Sequence, residues 1–192
     1  MVMTKKKVRV LTIALCIALL AICAGGTLAY FTAQDKAHNV ISSGSIDVDI
    51  HEWANEEKTE EFPEDGVDGV MPGSAVTKIV EVENEGLSDA WVRVKLNKAI
   101  ILAEGVEAEV DLSLVTLDLN TKDWTEKDGW YYYNQPLAPG ETTVPLFNKV
   151  MFAANMGNEY QKSEATVDVT AQAVQKANNG TSAAEATGWP EE

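Results

Sequence analysis

His38 and His51 are the chain's only histidines, and only the second stands in a pattern that chemistry could use. His51-Glu52-Trp53-Ala54-Asn55 is half of the His-Glu-x-x-His arrangement, which sets two zinc ligands and a general base on one helix face. Asn55 occupies the place of the second ligand, whereas zinc hydrolysis takes about three protein ligands and an open position for water. The pattern also lies at the end of a segment that alternates like a strand, where residues four apart do not converge as they do on a helix. Chance occurrence beside an acidic loop is the better account. Asp47, Asp49 and His51 share the polar face of the same segment and offer oxygen ligands for weak calcium binding. No EF-hand spacing supports this, and a solvated face explains them more simply. Both cysteines, Cys16 and Cys23, lie in the N-terminal apolar stretch, and no serine stands in a nucleophile elbow. Phosphate-cradling glycine loops are absent. Trp130-Tyr131-Tyr132-Tyr133 could stack on a sugar or a partner, but aromatic residues in a strand usually serve the core and cross-strand packing. No catalytic, cofactor or metal residue is expected, and the chain is not expected to be an enzyme.

The elements that would position these residues begin after a leader. Lys5, Lys6, Lys7 and Arg9 form a basic head, residues 11–24 an uncharged apolar run, and Gly25-Gly26-Thr27-Leu28-Ala29 a small-residue exit. This is the layout of a secretory signal peptide over residues 1–29. The run is shorter than the roughly 20 residues a spanning helix needs, although a retained membrane anchor is the alternative. Thr27 and Ala29 stand where a signal peptidase reads small side chains, so cleavage before Tyr30 is expected. Leu20-Ala21-Ile22-Cys23 partly matches a lipoprotein box, with Ile22 where a small residue belongs. The whole chain carries 15 basic and 30 acidic residues, a net charge of −15, and loss of the leader makes that −19. Such acidity argues against nucleic acid and anionic membranes, and for solubility and self-repulsion.

After the leader, residues 30–175 read as one β-domain. Ile46, Val48 and Ile50 alternate with Ser45, Asp47, Asp49 and His51, the period of a half-buried strand. Ala90, Val92, Val94 and Leu96 alternate with Trp91, Arg93, Lys95 and Asn97. Ala165, Val167, Val169 and Ala171 repeat the pattern. Val76, Val80 and Val82 share a face that Lys78 interrupts. Val144, Leu146, Val150 and Phe152 alternate too, with Pro145 suggesting a sheet edge. Between Asp111 and Leu119 the apolar phase flips, which predicts a bulge or break. Turns are expected at Met71-Pro72-Gly73, Asn84-Glu85-Gly86, Lys127-Asp128-Gly129 and Ala138-Pro139-Gly140. No segment keeps a helical period over three turns. About seven strands with glycine and proline turns predict an antiparallel sandwich. Residues 52–68, with eight acidic residues and one lysine, read as a solvated acidic loop, and 176–192 as a flexible polar tail.

Gly25-Gly26-Thr27-Leu28-Ala29-Tyr30-Phe31-Thr32 resembles the signal region of proteins processed by the dedicated signal peptidase SipW. Ser43-Gly44-Ser45-Ile46-Asp47-Val48 is similar to the phrase that opens their first strand. Met71-Pro72-Gly73-Ser74 and Val80-Glu81-Val82-Glu83-Asn84-Glu85-Gly86 resemble the Pro-Gly and strand-Asn-x-Gly signature that follows. Together they resemble the TasA/camelysin family of exported proteins over roughly residues 25–97. The resemblance implies a jelly-roll-like sandwich, export by SipW and an extracellular matrix or cell-surface location in a Gram-positive-type bacterium. It also implies self-assembly or association with related matrix subunits, in which an N-terminal strand of one subunit completes the sheet of the next. Val40, Ile46, Val48 and Ile50 are the candidate donor strand here. Membrane contact is expected only through the uncleaved leader. Camelysin relatives carry a metalloprotease label, which this chain's half motif does not support. The expected role is a secreted structural subunit of the biofilm matrix, with a monomeric binding module and a camelysin-like metalloprotease as alternatives.

Overall fold

A computed structural model describes residues 46–63, 67 and 71–191, all within the second of two units, residues 38–192. The expected leader with Thr27, Ala29 and Tyr30, together with His38 and Val40, lies outside the described residues. The fold is all-β. Its strands are β1 (Val48–Trp53), β2 (Ala75–Asn84), β3 (Ala90–Ile101), β4 (Val115–Leu117), β5 (Trp124–Lys127), β6 (Trp130–Tyr133), β7 (Phe147–Phe152) and β8 (Glu164–Gln175). They form two four-stranded sheets, ordered β1-β2-β7-β4 and β5-β6-β3-β8, with every pair antiparallel. Eight strands in two such sheets is the jelly-roll-like sandwich that the alternation anticipates.

Alternation places the core. Val80 and Val82 of β2 and Val92 and Val94 of β3 are 0% exposed and meet Phe147 and Ala173 between the sheets. Burial of such side chains is worth about 1.5–3 kcal/mol each, upper estimates that assume an extended unfolded chain. β3 and β8 pair along their full lengths, from Ala90↔Gln175 to Ile101↔Glu164.

The turns form for identifiable reasons. Asp128 and Gly129 both take positive φ (53° and 80°), the two-residue hairpin geometry that joins β5 to β6. Asn84 is wholly buried, and its amide donates to the carbonyls of Ser88 and Leu137 (2.9 and 2.8 Å) while its oxygen accepts from Gly86 N. Every polar atom of that side chain is thus paired, and the Asn-x-Gly turn is tied to a distant loop. Asp111 caps the 3-10 turn Leu112–Leu114 by accepting from Ser113 N, and the Ser113 side chain first, with that backbone bond second, holds its carboxyl below its ordinary pKa. That turn ends where β4 begins, which accounts for the phase flip between Asp111 and Leu119.

Four expectations need correction. Lys78 does not merely interrupt a face: β2 shifts register between Thr77 and Val80, and the buried Lys78 pairs with Glu52 at 2.8 Å. Val144 is 41% exposed because β7 begins only at Phe147, and β7 lies inside its sheet between β2 and β4, not at an edge. The acidic segment 52–68 is not a free loop throughout: Glu52 and Trp53 end β1, and the chain returns to bond Phe62 N to Glu52 O and Ala54 N to Glu60 O. Finally, residues 176–191 are not a loose polar tail. They fold across the outer face of β5-β6-β3-β8, where Ala183 is 1% exposed, because alanines and Trp189 find an aromatic surface there.

Candidate functional site

The half motif ends β1, and β1 separates its members. In a strand successive side chains point to opposite faces. Val48 and Ile50 point into the core, so Asp49, His51 and Trp53 point outward and Glu52 does not. His51 Nε2 lies 2.8 Å from Glu83 Oε2 and its Nδ1 4.0 Å from Asp49 Oδ2. Its ring stacks on Trp53 at 5.7 Å. Trp53 donates its indole N–H to Glu81, and Lys58 pairs with the same carboxylate. Glu52 turns the other way, to Lys78, whose ammonium also sits 4.5 Å over the Phe62 ring. Asn55 is spent in its own turn, donating to Thr59 Oγ1 and accepting from Thr59 N. The three motif residues therefore serve three separate local jobs.

The second outward-facing constellation lies on the other sheet. The run Trp130 to Tyr133 splits by parity: Tyr131 and Tyr133 pack against the inter-sheet core, and Trp130 and Tyr132 face outward with Trp91. Arg93 stacks between two indoles, 3.9 Å from the Trp130 ring and 4.5 Å from the Trp189 ring. Its Nε and Nη2 donate to Gln172 Oε1, and its Nη1 to the Tyr132 hydroxyl. Trp91 Nε1 donates to Asn179 O, and Asn179 in turn bonds the backbone of Gln175 and Thr187. Residues 179–190 thus form a strap that closes this face, and the aromatic run offers no open stacking surface. The sequence carried a hint: Trp91, Arg93 and Trp130, Tyr132 alternate on the side a wet sheet would fill with small polar residues.

Of the candidate donor strand, Ile46, Val48 and Ile50 are buried in the chain's own core, and β1 pairs with β2 from Val48↔Asn84 to Trp53↔Ile79. Among the described strands β1 is an edge of its sheet, with Glu61 bridged to its last residue, Trp53.

Residues 3–113, more than half of the chain, match the family model described as camelysin metallo-endopeptidase. The chain belongs to the camelysin family. No curated protein and no solved structure matches it. The camelysin match takes in β1, β2 and β3 and stops within the 3-10 turn at Ser113; β4 to β8 and the strap lie beyond it. The family description implies a metal, and the described residues of this chain do not fit one. Among them no group of three His, Cys, Asp or Glu side chains is placed to hold a metal ion, and Glu52, the motif's general base, is ion-paired on the face opposite His51. A catalytic zinc centre takes about three convergent ligands.

Proposed function

We propose that this camelysin-family chain is an exported, non-enzymatic structural protein of the cell surface or biofilm matrix. A SipW-type peptidase would free it from residues 1–29, and it would then associate with copies of itself or with related matrix subunits. The observation that carries this reading is the place of β1. The first described strand after the leader is a sheet edge whose inner row, Ile46, Val48 and Ile50, is apolar. An edge strand offers main-chain donors and acceptors to another chain, here ahead of Glu52, because Glu52 O and Ala54 N are already bonded to Phe62 N and Glu60 O. In the single chain that row fills its own core, so donation means exchange of β1 between copies. The separation of His51, Glu52 and Asn55 supports the absence of peptidase chemistry.

Exported protein is expected to begin at Tyr30, and N-terminal sequencing checks this against a lipid-modified Cys23 or an uncut chain. At neutral pH and low salt the charge of −19 that remains without the leader keeps copies apart. Fibres are expected under the electron microscope as pH falls toward the sequence pI of about 4.5 or as salt rises. Amorphous precipitate in place of fibres would overturn the structural reading. Chelator-sensitive cleavage of casein would overturn the non-enzymatic one, and calcium titration under the same conditions tests for weak metal binding.

A further inference from the structure

Asn179 ties the strap down. Its Nδ2 donates to Gln175 O at 3.1 Å and to Thr187 O at 3.0 Å, and its Oδ1 accepts from Thr187 N at 2.9 Å and Thr187 Oγ1 at 3.2 Å. Its own carbonyl accepts from Trp91 Nε1 at 2.8 Å. One residue thus joins the end of β8, the far part of the strap and the aromatic face. Both amide hydrogens and both lone pairs of its side chain are in use. The arrangement needs an amide: Nδ2 faces two carbonyl oxygens, and an oxygen in its place would meet no donor.

The next residue is glycine, and Asn179-Gly180 is the only Asn-Gly pair in the chain. A larger residue does not fit there. The φ of Gly180 is positive (77°), and a Cβ would come within 3.2 Å of Ala186 N and Glu185 C. Gly180 is exposed, and among the described residues its N–H has no hydrogen-bond partner. The fixing point of the strap is therefore a thermolabile residue type beside an unshielded, unpaired backbone nitrogen.

We propose that Asn179 is a site of self-modification gated by the strap: the closed strap restrains its amide, and in the opened strap the Gly180 nitrogen converts it to aspartate or isoaspartate. Gly180 N gives its proton to solvent and bonds to Asn179 Cγ. The Cγ–Nδ2 bond breaks, and ammonia leaves with a proton from solvent, which closes a succinimide ring. Water then opens the ring. Addition at Cγ breaks the bond to Gly180 N and leaves aspartate. Addition at the main-chain carbonyl breaks its bond to that nitrogen and leaves isoaspartate, with Gly180 joined through Cγ. Ring closure turns Cγ toward Gly180 N, and that turn breaks the bonds from Nδ2 to Gln175 O and Thr187 O, so the reaction waits on local opening. Aspartate then sets a charged oxygen against the same two carbonyls, and isoaspartate lengthens the main chain beside Trp91. Either product hinders closing, so the face of Trp91, Arg93, Trp130 and Tyr132 is uncovered with age and in one direction only. The proposal concerns the other sheet from β1 and stands whether or not the chain assembles.

The full chain is incubated in mildly alkaline buffer, and its tryptic peptide 177–192, which no lysine or arginine interrupts, is followed by mass spectrometry. A free synthetic peptide of the same residues should react fastest and the parent chain slowest, with the Trp189→Ala chain at least about fivefold ahead of the parent. A parent chain as fast as the peptide, a Trp189→Ala chain no faster than the parent, or product at Asn178 in place of Asn179 would overturn the proposal. The second measurement is hydrogen exchange by NMR on Asn179→Asp. Protection of the Trp91 indole N–H and the Thr187 amide should fall at least about tenfold, while the Val92 and Val94 amides keep theirs. Unchanged protection at Trp91 and Thr187 would overturn it, and so would equal loss at Val92 and Val94, which would mean that the sandwich had opened and not the strap.

Discussion

The outer faces of the two sheets are built from the same alternation and end in opposite states. On β1-β2 the outward residues are Asp49, His51, Trp53, Glu81 and Glu83, and they satisfy one another through polar pairs and a stacked ring pair, with Asp49, His51 and Glu83 partly exposed and Glu81 buried beside Trp53 and Lys58. On β3, β6 and β8 the outward residues are Trp91, Arg93, Trp130, Tyr132, Gln172 and Val174, and a third layer covers them. The first face carries one indole among carboxylates, whereas the second gathers several indole and phenol rings of about 150–250 Å² each, which call for a cover. Arginine suits the covered side because its guanidinium stacks flat between rings while its N–H groups still reach acceptors at the edge.

The largest test of this contrast is Trp91→Ala. The indole is 3% exposed, and its removal empties the space beneath the strap and frees Asn179 O, so a loss of about 3–5 kcal/mol is expected in thermal or denaturant melts. A change below about 1 kcal/mol would mean that the face is wet. His51→Ala on the other sheet should cost less than about 1 kcal/mol, because its side chain and that of Glu83 are both partly exposed and water screens the pair. Its effect should shrink further in high salt, and an effect equal to that of Trp91→Ala would erase the distinction between the faces. The smallest effect concerns Tyr131. Burial first, and the charge of Glu126 second, raise the pKa of its phenol. The fold therefore favours the protonated form: that stability is whole below the unfolded value near ~10 and is lost as pH rises from there through the raised folded value. Absorbance titration should show one tyrosine ionising late, and Tyr131→Phe should flatten the alkaline decline in stability.

The strands were legible where one face is apolar and the other polar. β3, with Val92 and Val94 against Arg93 and Lys95, is the clearest case, and β1 and β8 follow it. The sandwich follows from that period and from the turn residues. Less legible was anything set by contacts distant in sequence. Lys78 reads as a break in an apolar row because its partner, Glu52, lies on another strand. Residues 176–191 read as a tail because alanine, serine and threonine carry no period, and Trp189 gains its meaning from Arg93 and Tyr132, far back in β3 and β6. Asn84 reads as a turn residue, although its amide reaches Leu137 and holds two loops together. At the half motif, the sequence does show that a ligand is missing. It does not show that His51 and Glu52 point to opposite sides, which needs the strand register.

The pairing of β3 with β8 carries a consequence for how the molecule comes into being. A ribosome delivers β3 some 70 residues before its long partner, and Trp91 and Arg93 wait longer still for Asn179 and Trp189. Until residues 164–190 have emerged, one edge of β3 stands open and an aromatic surface has no cover. Contacts so distant in sequence slow folding, because the closure of a long loop precedes any reward. Completion of this sheet is therefore expected to wait until residues 164–190 have been made.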